Sequence, residues 1–120
     1  MNAHAAALTV VTEKRGDVQV IRVRGPMDYF SIGPLREEVN RHLSAGVAKV
    51  VLDLYGVPFC DSTGLSLLLT VQQRTESAGG WLRLARPHLQ MRRMLAMTHL
   101  DRHLNTYRSI QDAIDDKHQG

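Results

Sequence analysis

Apolar residues along this chain change their period several times, and each change marks an element. Leu8-Thr9-Val10-Val11-Thr12 and Val18-Gln19-Val20-Ile21-Arg22-Val23 are built from the β-branched types that suit strands. Lys14-Arg15-Gly16-Asp17 between them is a turn signal, so the pair predicts an antiparallel hairpin, ended by Gly25-Pro26. The period then lengthens. Ile32, Leu35, Val39 and Leu43 recur at spacings of three, four and four, which is one face of a helix. Ser31 is a candidate cap for it, Pro34 suits its first turn, and Gly46 is a natural stop. Val50-Val51-Leu52-Asp53-Leu54 is short and β-branched, the pattern of a buried parallel strand. The next apolar run, Leu65 to Val71, is rich in Leu and free of Gly and Pro, and predicts a helix from about Ser62 to Ser77, broken by Gly79-Gly80.

Trp81-Leu82-Arg83-Leu84-Ala85 reads as a further strand. Pro87 is expected to start a third helix, with Met91, Met94, Leu95 and Thr98 on one face and its methionines filling core. Thr106-Tyr107 is a short last strand. Ser109-x-x-Asp112 resembles a capping box that opens a terminal helix with Ile110, Ala113 and Ile114 inward. The order strand, strand, helix, then strand and helix three times over, defines an α/β fold. We expect one domain over residues 8–116, a mixed sheet of four to five strands packed with about four helices. Residues 1–7 and 117–120 are expected to be tails.

Composition narrows the picture. At 120 residues and 43% hydrophobic, the chain suits one globular core. No apolar run approaches the ~20 residues of a membrane span, and Met1-Asn2-Ala3-His4 does not open a signal peptide. The single cysteine excludes an internal disulfide and fits a reducing cytosol. Net charge is +3, and six arginines with one acid lie between Arg83 and Arg108. A basic stretch invites an acidic partner. With only Trp81 and Tyr107 beside it there is no run of stacking aromatics, so direct nucleic-acid binding is not expected.

Chemistry concentrates in Phe59-Cys60-Asp61-Ser62-Thr63-Gly64-Leu65, between the central strand and the second helix. That junction lies at the carboxyl edge of the sheet, where α/β folds place sites, and it offers free N–H groups at a helix amino end. On spacing alone Ser62 reads first as a helix cap. The surrounding residues are not a nucleophile elbow, because Cys60 rather than Gly precedes the Asp-Ser pair. Cys60 has the bland reading of a small buried side chain. His99 and His103, four apart, are a weak zinc pattern without a third ligand. Asp28 reads as a turn residue before the first helix, and Asp61 as an aid to capping the second. No phosphate-binding Gly loop is present, so neither cofactor nor metal nor catalysis is expected.

Phe59-x-Asp61-Ser62-Thr63-Gly64-Leu65 after Val51-Leu52-Asp53-Leu54 resembles the signature of STAS domains, above all the bacterial anti-sigma factor antagonists. Arg24-Gly25-Pro26-Met27-Asp28 is similar to the segment that ends their second strand. The resemblance implies that Ser62 is the residue phosphorylated by a partner kinase, and that Asp28, Asp61, Thr63 and Gly64 belong to the partner-binding surface. It also implies the partners: an anti-sigma factor that is a serine kinase, and a serine phosphatase that restores the free form. Three other readings stay open: a STAS-like scaffold whose serine is never phosphorylated, a nucleotide- or anion-binding domain using the same helix end, and, against the expectation from composition, a nucleic-acid binder using Arg83–Arg108, which would show steeply salt-dependent DNA binding. Ser66, His99 and Trp81 depart from the family pattern, where smaller residues are usual.

Overall fold

Residues 8–118 are described by a computed structural model. The two β-rich stretches form β1 (Thr9–Arg15) and β2 (Val18–Arg24), paired antiparallel from Thr9↔Arg24 to Arg15↔Val18. From there the chain alternates: α1 (Gly33–Ser44), β3 (Lys49–Gly56), α2 (Ser62–Ser77), β4 (Trp81–Ala85), α3 (Leu89–Met97), β5 (Asn105–Tyr107) and α4 (Ile110–Asp115). A single 3-10 turn, Leu100–Arg102, follows α3. The sheet order is β1-β2-β3-β4-β5, with every pair after the hairpin parallel. The mixed five-stranded sheet with four helices is the architecture the pattern of residues predicts.

Strand order that follows chain order has a consequence. Right-handed crossovers then send α1, α2 and α3 to the same face of the sheet. On that face Val50, Leu52 and Leu54 of β3 meet Leu35 and Val39 of α1, Leu67, Leu68 and Val71 of α2, and Met91 and Leu95 of α3. The opposite face is covered only in part. Val18, Val20, Val51, Ala85 and Tyr107 pack there under Ile110 and Ala113 of the short α4. Ser109 caps α4 by accepting from Asp112 N–H at 2.9 Å, as its spacing predicts.

Two helix starts differ from expectation. Ser31 does not cap α1; the residue before the helix is Ile32, and its side chain offers no hydrogen bond. Asp28 does the local work instead, its Oδ1 accepting from Phe30 and Ser31 N–H. Pro87 likewise lies outside α3, which begins at Leu89 after His88. The tails expected at 1–7 and 117–120 lie outside the described residues, apart from Lys117 and His118. The His118 ring lies 4.9 Å from that of Tyr107.

The basic stretch does not form one uniform face. Arg83 lies 3.6 Å over the Trp81 ring and donates to the Ala113 and Ile114 carbonyls, which ties β4 to α4. Arg86 donates twice to the buried Asp53, at 3.0 and 2.7 Å, and lies over the Tyr55 ring. It does so from a left-handed backbone, φ 58, which side chains other than Gly adopt at a cost. His99 is left-handed too, and His103 ends the 3-10 turn, so the two do not share a helix face.

Candidate functional site

Parallel strands deliver their following loops to one edge. The loops after β2, β3 and β4 therefore meet at the carboxyl edge of the sheet. A parallel bridge between Met27 and Cys60 joins the first two beyond the strands proper. Met27 N–H donates to the Phe59 carbonyl at 2.9 Å, and Asp61 N–H to the Met27 carbonyl at 3.2 Å. The helix entered from the third loop, α3, contributes Gln90, which sequence reasoning missed. Its side-chain amide accepts from Cys60 N–H at 3.0 Å and donates to the Cys60 carbonyl at 2.9 Å. A Gln in the first turn of a helix carries no signal in the sequence; only the fold brings it there.

The cap of α2 is Asp61, not Ser62. Asp61 has extended backbone, and its Oδ1 accepts from Thr63 N–H at 2.8 Å and Gly64 N–H at 3.2 Å. Spacing could not separate two adjacent capping types; backbone geometry does. Ser62 is thereby the first helical residue, exposed, with its hydroxyl outside the cap. Thr63 is half-buried. Gly64 is buried, and a Cβ there would lie 2.5 Å from the Met27 carbonyl oxygen and 2.6 Å from Cys60 Sγ. What Gly64 supplies is the close approach of α2 to the Met27–Cys60 bridge.

The other oxygen of Asp61, Oδ2, accepts from Tyr29 N–H at 3.1 Å. Asp28 and Asp61 thus both hold the loop between β2 and α1, each by its carboxylate. Cys60 is fully buried beneath them and donates to the Asp61 carbonyl. Burial, reinforced by the Asp61 charge, pushes its thiol from 9.0 up to about 12. It is a neutral packing group at pH 7, not an activated nucleophile.

A mixed five-stranded sheet with three helices on one face and a short fourth on the other, and an exposed serine at the head of α2, defines the class as a small α/β domain. The sequence profile of the STAS domain matches residues 9–113, and the chain belongs to the STAS domain family, with anti-sigma factor antagonists among its relatives. A Thermotoga maritima protein described as an anti-sigma factor antagonist is 31% identical over 77 residues, covering 64% of this chain and 68% of that one. The structure of an anti-sigma factor antagonist from Mycobacterium paratuberculosis superposes with a TM-score of 0.84 at 23% identity, over 96% of this chain and 97% of that one. The phosphorylated form of the Bacillus cell fate determinant SpoIIAA superposes with a TM-score of 0.71 at 21% identity, over 92% of this chain and all of that one (100%). Among the described residues no helix is long and apolar enough to cross a membrane.

Proposed function

We propose that this chain is an anti-sigma factor antagonist switched by phosphorylation of Ser62. Unphosphorylated, it binds an anti-sigma factor that is also a serine kinase, and a sigma factor is released. The kinase transfers the γ-phosphoryl group of ATP to Ser62 Oγ, which gives up its proton, and the modified chain dissociates. A serine phosphatase hydrolyses the ester and restores the binding form. All of this takes place in the cytoplasm, and the chain itself supplies no catalytic group. Asp28, Asp61, Thr63 and Gly64 belong to the binding surface, the first two by ordering it and Gly64 by letting α2 close on its neighbours.

The observation that carries the proposal is the division of labour between Asp61 and Ser62. Because Asp61 caps the helix, the Ser62 hydroxyl is exposed and has no structural duty there. Its backbone stands at the positive end of a 16-residue helix. A phosphoryl group adds about −1.5 to −2 charges and three acceptor oxygens. The helix end tolerates that charge, so the fold survives. A partner surface packed against the serine does not, because the charge arrives in the middle of the contact. The switch is local electrostatics without refolding.

The test is incubation of the purified chain with ATP and each serine kinase of the anti-sigma type from the same organism. The expected result is the added mass of one phosphoryl group on the wild type and on Thr63→Ala, and none on Ser62→Ala. A Ser62→Ala chain that still gains the phosphoryl mass rejects Ser62 as acceptor.

A further inference from the structure

Among the described residues, the large apolar side chains left exposed are unevenly placed. Tyr29, Phe30, Tyr55, Phe59 and Leu89 all lie at the carboxyl edge, and only Val11 and Met97 lie elsewhere. Phe30 is 90% exposed and Tyr29 71%, and their rings meet edge to face with centroids 5.3 Å apart. The backbone beneath them is nonetheless firmly held. Tyr29 N–H goes to Asp61, Phe30 and Ser31 N–H to the Asp28 carboxylate, and Ile32 N–H to the Asp28 carbonyl. An ordered loop that displays two aromatic rings to water is pre-organised for contact, since little freedom is left to lose on binding.

We propose that Tyr29 and Phe30 are the apolar anchor by which the kinase recognises this chain. The inference rests on Ser62 being the acceptor. The residue bonded to Tyr29 is Asp61, which directly precedes Ser62, so the loop is tied to the turn that carries the serine. A kinase that closes on Ser62 Oγ covers this loop as well. The exposed serine turn offers polar groups, whereas the core of a protein interface is apolar and rich in aromatic residues. The Tyr29–Phe30 pair supplies that core, and by its shape it selects which kinase fits.

The experiment uses the kinase that labels Ser62. The double variant Tyr29→Ser/Phe30→Ser is expected to weaken binding of the unphosphorylated chain by about 30-fold or more, the loss usual for central aromatic anchors. The KM for phosphorylation rises with it, while kcat stays within about 2-fold, because the anchor binds ground state and transition state alike. Melting temperature does not change, since neither ring belongs to the core. Phe30→Leu keeps most of the affinity, and Met97→Ser, which removes the 80% exposed side chain at the far end of α3, keeps all of it. Wild-type affinity in the double variant, with binding still lost on phosphorylation of Ser62, overturns the anchor and leaves the switch standing. Self-association that disappears in the double variant while kinase affinity holds assigns the patch to a second copy and equally overturns it. Failure of any kinase to label Ser62 removes the switch and the anchor together.

Discussion

Asp61 holds Tyr29 with one carboxylate oxygen and the first turn of α2 with the other. The loop after β2 and the helix that begins with Ser62 therefore share one anchor point. Removing it should be felt twice. We expect Asp61→Ala to cost about 1–2 kcal/mol in urea denaturation, the usual cost of a lost cap. Asp61→Asn should recover the cap, since Asn caps about as well as Asp, but not the bond from Tyr29 N–H, which would then face the amide NH2.

Ser62→Ala should be different. As the first helical residue, exposed and outside the cap, Ser62 contributes little to stability, and its replacement should stay within about 0.5 kcal/mol of wild type. Binding of the unphosphorylated variant to the kinase should be intact. Ser62→Asp should fold as well and bind more weakly, with a smaller effect than true phosphorylation because it carries only about one charge. A destabilisation by Ser62→Ala as large as that by Asp61→Ala would show that the serine, not the aspartate, caps α2.

Cys60 should be inert to thiol reagents in the native protein at pH 7–8, and Cys60→Ala should still accept phosphate on Ser62. The core accommodates the protonated thiol, so the folded chain keeps that proton to higher pH than the unfolded one. The stability this contributes is complete below pH 9.0 and is lost as pH rises towards about 12. Tyr107 acts in the same direction between 10.0 and about 12, through its burial first and its bond to Asp116 second. Urea midpoints at pH 7, 9 and 11 should hold between the first two and fall at the third. A midpoint that rises between pH 9 and 11 contradicts this placement of both groups.

Arg86→Ala should be among the most damaging surface-edge substitutions. It leaves Asp53, whose side chain is 5% exposed, without its bidentate partner. Breaking a buried pair from one side costs about 3–5 kcal/mol, and the lower end is expected here because Arg86 itself is 39% exposed. Arg86→Lys should rescue little, since an ammonium cannot reproduce the two parallel bonds. Thermal unfolding of the two variants measures both effects.

The elements were legible because their apolar periods are strong. Val50–Leu54 shows β-branched residues on both faces, and Leu35, Val39 and Leu43 lie on one face of α1, with Ile32 just before it. The family signature at Phe59–Leu65 was legible as well. What the residues alone did not reveal are relations between distant segments. Gln90 reaches Cys60 across thirty positions, and Asp61 reaches Tyr29 across thirty-two. Asp53 sits in an apolar run, and nothing local says that Arg86 neutralises it. Two helix starts were missed for a simpler reason. Ser31 and Pro87 have the chemistry of a helix start, but the backbone enters α1 and α3 two residues further on, at Gly33 and Leu89, whereas α2 begins at Ser62 as expected and only its cap moves to Asp61.

The two bonds from Gln90 and the Met27–Cys60 bridge have a meaning for substrate recognition. An extended substrate segment lies in a kinase groove with its backbone N–H and C=O groups free to pair. Here those of Cys60, and the N–H of Asp61, are already engaged within the fold. On the proposed reading, a kinase that labels Ser62 must therefore recognise it as part of a folded epitope, not as a linear motif. A synthetic peptide spanning residues 55–70, which has the same amino acids but none of the three converging loops, should be a very poor substrate, and the intact domain a good one.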